Sequence, residues 1–166
     1  MIAVSCTQNT IGGRHVYLMT RATREEAMSP ELEKKLTNRF PFYTGELIRY
    51  GFPGDGWFQL LWDLSEDVEE CLDRDPIEDF EVVQVKEKFG TLRYYVSHGR
   101  DDIYACIRRA EARSAKTCEE CGEPGKTRPG GWILTLCDRC HEEREEERRQ
   151  SWEEYKELQS KDPTKT

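Results

Sequence analysis

Apolar residues recur at three- and four-residue steps in two stretches of this chain, and that period predicts amphipathic helices. Trp57, Leu60, Leu61, Leu64, Val68, Cys71 and Leu72 define one face of a helix over 57–72, while Asp63, Glu66, Asp67, Glu69 and Glu70 make the other face acidic. Ile103, Cys106, Ile107, Ala110 and Ser114 define a second helix, opened by Asp101 and Asp102, whose charge suits the positive end of a helix dipole. A third begins at Ser29-Pro30-Glu31, which supplies an N-cap, a proline at the first helical position and a first-turn acid. It should stop near Phe40, ahead of Pro41. From Phe42 to Trp57 the glycines and aromatics read as a connecting loop, with Asp55 placed to cap the helix that follows.

The period then changes. Phe80–Val85 and Thr91–Val96 are rich in β-branched and aromatic residues and predict two antiparallel strands, with Gly90 supplying the positive φ of the turn. Beyond Cys140 the chain is a run of strong helix formers whose apolar positions are only Trp152, Tyr155 and Leu158, so most of that helix must be wet. Residues 161–166 should fray. Residues 1–28 are the least readable part and are taken as an N-terminal extension, with two short strands around Gly12-Gly13.

Between the second helix and the charged one stand Cys118-Glu-Glu-Cys121 and Cys137-Asp-Arg-Cys140, two Cys-x-x-Cys pairs separated by fifteen residues. That spacing belongs to four-cysteine zinc sites. Four thiolates complete the tetrahedron around Zn²⁺ and leave no position for water, which predicts a structural metal. Knuckle, turn at Glu123-Pro-Gly, turn at Pro129–Gly131, strand Trp132–Leu136 and a second pair entering a helix follow one another as in a treble-clef finger, which this segment resembles. Trp132 and Ile133 are expected to seal one side of its hairpin. The predicted class is therefore α+β, with a small helix and hairpin domain over 29–115, a finger over 116–141 and a charged helix and tail over 142–166.

Composition narrows the setting. Seven cysteines, four of them committed to a metal, argue against a secreted disulfide framework and for a reducing, cytoplasmic compartment; Cys6, Cys71 and Cys106 read as small hydrophobes. No apolar run reaches the length of a membrane span. The net charge of −8 disfavours indiscriminate nucleic-acid binding. Charge is nonetheless segregated: Glu46–Glu81 holds twelve acids against two bases, and Lys86–Lys116 eight bases against four acids. Either these segments attract one another within the fold, or Lys88, Arg93, Arg108, Arg109 and Arg113 form a patch for DNA, RNA or another anion, with Tyr94 and Tyr95 for stacking.

Enzymatic patterns are sparse. Leu136–His141 looks like the closing half of an HNH nuclease, but the interval Gly122–Leu136 has neither the histidine nor the aspartate that would hold a catalytic ion. Asp79, Gln84 and Lys86 faintly resemble the strand motif of restriction-type nucleases. Metal-dependent nuclease chemistry is thus the alternative to a non-catalytic binding protein. A four-cysteine finger beside a long charged helix also bears a partial likeness to polymerase-binding regulators of the DksA type, with the helix on the opposite side of the finger.

Three phrases, Gly54-Asp-Gly-Trp57, Val85-Lys-Glu-Lys-Phe-Gly-Thr-Leu-Arg-Tyr-Tyr95, and Ala112 to Gly122 with Gly130 to Cys137, together resemble a family of small zinc-finger proteins encoded by tailed phages and prophages. The likeness covers Ser29 to His141. It implies a genomic setting and no activity. The expectation is a zinc-stabilised binding protein in the host cytoplasm, an accessory regulator or an inhibitor of host defence, whose partner is a host or phage protein or a nucleic acid.

Overall fold

The computed structural model describes residues 27–160; the two strands proposed near Gly12-Gly13, the Cys6 side chain and the tail from 161 lie outside them. Among the described residues the chain forms four α-helices and two small antiparallel sheets, an α+β arrangement. In chain order these are α1 (Pro30–Arg39), α2 (Phe58–Arg74), β1 (Val82–Lys88), β2 (Thr91–Val96), α3 (Asp101–Ser114), β3 (Lys126–Arg128), β4 (Leu134–Leu136) and α4 (Asp138–Ser160). No described helix is long and apolar enough to cross a membrane.

The apolar stripe read from the sequence is the one α2 buries: Leu60, Leu61, Leu64, Val68 and Cys71 all point inward. α3 lays Ile103, Cys106, Ile107 and Ala110 against it, and the β1–β2 hairpin adds Val82, Val85, Leu92 and Tyr94. Leu36 of α1 and Phe40, the residue after it, close the same core. Met28 is buried there as well, its amide donating to the Phe52 carbonyl, so the assigned extension reaches into the core at its last residue.

Three local expectations shift. The loop after Phe42 contains two 3-10 turns, Glu46–Tyr50 and Asp55–Trp57. Asp55 does not cap α2: its carboxylate accepts the Ser29 amide at 2.6 Å and ties the loop to the start of α1. The first strand begins two residues later than Phe80 and runs on to Lys88, because the turn is only Phe89-Gly90. Both turn residues have positive φ, 56° and 74°, the mirror-image turn whose twist matches a two-residue hairpin. A phenylalanine in that conformation costs about 1–2 kcal/mol, and its ring stays 66% exposed.

A buried chain of hydroxyls crosses the core. Tyr94 Oη donates to Tyr43 Oη (3.2 Å), Tyr43 lies 2.7 Å from Ser65 Oγ, and Ser65 donates to the Leu61 carbonyl. Burial pushes the Tyr43 phenol up to about 12 and Tyr94 well above its ordinary value, so both stay protonated. Tyr43→Phe removes the acceptor of Tyr94 in a dry site. The expected loss is about 1–2 kcal/mol, read as a lower urea midpoint at unchanged slope.

Candidate metal centre and its seating

The four predicted ligands converge. Cys118 and Cys121 stand on the turn after α3, Cys137 closes β4 and Cys140 lies in the first turn of α4, and their sulfurs all fall within 4.8 Å of one another. A tetrahedral thiolate site with bonds of about 2.3 Å has sulfur–sulfur edges of about 3.8 Å, and Cys121 and Cys137 stand 3.7 Å apart. The donor set therefore fits a metal ion such as zinc. Among the described residues it is the one group of three or more His, Cys, Asp or Glu side chains placed to hold an ion.

Local backbone prepares the sulfurs unequally. The Cys140 amide donates to Cys137 Sγ at 3.4 Å, and that bond brings the Cys137 thiol down to about 7. Burial pushes Cys118 and Cys140 up. A cation must displace those protons, so uptake releases acid and affinity falls as pH falls. Asp138, at the first residue of α4, receives Lys126 Nζ (2.8 Å) and Arg128 Nη2 (2.6 Å), which hold its carboxyl down to about 2 and fasten β3 to the helix start. His141 lies in the same helical turn, its amide bonded to the Cys137 carbonyl.

The metal-binding segment has almost no core of its own. Its buried cluster is Cys118, Leu134, Leu136 and Cys140. Trp132 does not seal the hairpin, since it remains 53% exposed, and Leu134 and Leu136 take that place. What orders the segment otherwise is its seat on the preceding domain. The Trp57 indole N–H donates to the Thr117 carbonyl (2.8 Å), and the Gly56 amide to the Glu119 carbonyl (2.9 Å). Glu119 in turn donates its amide to the Thr135 carbonyl, and the fully buried Thr135 hydroxyl donates to the Gly90 carbonyl (2.6 Å). One metal knuckle, one finger strand and the tip of the first hairpin thus meet at Thr135.

Gly56 is required by contact. A Cβ there would lie 2.3 Å from the Cys118 carbonyl oxygen and 2.6 Å from the Cys121 amide, both backbone atoms. Gly90 combines its positive φ with backbone of Leu134 at 3.1 Å. These seating residues were not singled out by chemistry. Their only signal was that they fall within the three phrases, Gly-Asp-Gly-Trp, the one containing Phe-Gly-Thr, and, for Thr135, Gly130 to Cys137.

The supposed anion patch separates into two parts. On α3, Arg109 bonds Asp67 (3.0 Å) and Arg113 bonds Asp63 (2.5 Å), a two-rung ladder to the acidic helix α2. Arg108 is exposed on the same helix. Tyr94 is unavailable for stacking, because it is 4% exposed and points into the core. On the hairpin, the register pairs Gln84 with Tyr95, Lys86 with Arg93 and Lys88 with Thr91, placing all six on the outer face. Lys86 Nζ lies 5.1 Å from the Tyr95 ring centre and Lys88 Nζ 5.4 Å from that of Phe89. Arg93 is half-buried and donates to Thr91 and the Leu92 carbonyl. Breaking one exposed rung of the ladder by Arg113→Ala is expected to lower stability by under about 1 kcal/mol, an effect that shrinks further in high salt; thermal melts at two ionic strengths check it.

No family model matches the chain, and no curated protein or solved structure matches it.

Proposed function

We propose that this is a non-catalytic, zinc-stabilised binding protein that grips a protein partner with the outer face of its first hairpin. The observation that carries the reading is the gathering of Lys86, Lys88, Arg93 and the 44%-exposed Tyr95 on one strand face, with the Phe89 ring at its tip. Exposed aromatics and arginine are enriched at interface centres, and the two lysines suit the polar rim around them. A nucleic acid is the weaker partner, since three clustered cations release few counterions and the chain carries −8 overall. The four cysteines act as a treble-clef-like clamp for Zn²⁺. With every coordination position taken by sulfur, the metal has none left to activate water.

The phage setting, and with it the role of accessory regulator or inhibitor of a host defence protein in the host cytoplasm, is carried by the resemblance of the three sequence phrases alone. The decisive experiment compares wild type with Lys88→Glu/Tyr95→Ala. Capture of one host protein by wild type and its loss with the double variant supports the reading. Binding of labelled DNA or RNA that falls steeply with salt and is lost in the same variant would transfer the face to nucleic acid. Manganese-dependent cleavage lost in Lys86→Ala or His141→Ala would replace the non-catalytic reading with the nuclease one.

A further inference from the structure

Two cysteines outside the metal centre meet across the α2–α3 interface. Cys71 Sγ and Cys106 Sγ lie 4.0 Å apart, in van der Waals contact, and each accepts a guanidinium donor: Arg74 Nη2 on Cys71 and Arg109 Nη2 on Cys106, both at 3.2 Å. Beside them Arg74 faces Asp102 and Arg109 faces Asp67. Cys106, 5% exposed, is also among the residues that line a groove of about 230 Å³ between the helices, with Leu60, Leu64 and Ala110. We propose that Cys71 and Cys106 are a peroxide-reactive dithiol, with Cys106 the attacking sulfur and Cys71 the resolving one, whose oxidation locks α2 to α3.

The chemistry balances with hydrogen peroxide as the oxidant. The Cys106 thiolate, held beside Arg109, attacks one peroxide oxygen, the O–O bond breaks, and the departing hydroxide takes a proton to leave as water. Cys106 is then a sulfenic acid. The Cys71 sulfur attacks it, the S–O bond breaks, an S–S bond forms, and the Cys71 proton leaves with the oxygen as a second water. Two thiols and one peroxide thus yield one disulfide and two waters. Burial pushes the Cys71 thiol up, which keeps it protonated until the second step. The link requires the sulfurs to close from 4.0 Å to a bond of about 2 Å.

The test treats the full, metal-loaded chain with hydrogen peroxide and maps peptides without reduction, while a chromogenic chelator follows metal release. The expected product is a single link joining the Cys71 and Cys106 peptides, formed before metal appears. Cys71→Ser should trap a dimedone adduct on Cys106, and Cys106→Ser should take none at Cys71. Arg109→Gln should slow linkage about tenfold by removing the cation beside the attacking sulfur. Oxidation of the four metal cysteines without the Cys71–Cys106 link would overturn the proposal, as would dimedone labelling of Cys71 in Cys106→Ser.

Discussion

Cys137→Ser is expected to strip the metal and to destabilise far more than the finger. A hydroxyl is a poor substitute for thiolate, and structural zinc contributes an apparent 10–16 kcal/mol, roughly, in finger peptides at neutral pH. The segment's own buried cluster is two leucines and two of the ligands themselves, so little remains to hold it once the ion leaves. The loss then spreads through the seat. Thr117, Glu119 and Thr135 are the partners of Trp57, Gly56 and Gly90, and an unfolded finger leaves those groups without their bonds. With each lost bond worth about 1 kcal/mol, the melting temperature of the remaining domain should fall by about 10 °C or more. Elemental analysis should drop from one zinc per chain to below about a tenth, and amide exchange should lose its protection over 117–137. Unchanged metal content and melting would refute the clamp.

Gly56→Ala separates seating from metal binding. The added methyl would stand 2.3 Å from the Cys118 oxygen, 2.5 Å from the Gly122 nitrogen and 2.6 Å from the Cys121 nitrogen, and no flexible side chain is there to yield. Either the knuckle distorts or the finger lifts off the domain, and we expect a cost of about 3–5 kcal/mol, at the upper end for single substitutions. No ligand is substituted, so where the finger lifts off intact the bound metal should remain while the unfolding midpoint collapses and the tryptophan fluorescence shifts to the red. Wild-type stability would show that the knuckle does not rest on this loop.

Much of the framework was legible because its signals are local and periodic. α2, α3 and the four ligands announce themselves by spacing, and the structure keeps the residues that the spacing selected. The seat was not legible, since it is built from carbonyls and amides that every residue carries, and only glycine's lack of a side chain marks where they approach. The far end of β1, from Lys86 to Lys88, is not legible because a phenylalanine at positive φ is disfavoured locally and is held here by the hairpin and by the finger beneath Gly90. The arginines of α3 present a different problem. Asp63 and Asp67 are four residues apart, as are Arg109 and Arg113, so each pair lines one helix face; only the antiparallel packing of α2 on α3 reveals that the pairs meet.

The bond from Trp57 to Thr117 spans 60 residues of chain. A ribosome adding about 5–20 residues per second takes roughly 3–12 s to cover that interval. During it the loop at 54–57 exists with no finger to rest on, and the hairpin tip at 89–90 joins it about halfway through. The four ligands, by contrast, fall within one short local stretch that can close around an ion soon after it emerges. If the four cysteines hold zinc as proposed, its supply during synthesis would set how long the loop at 54–57 waits for its partner.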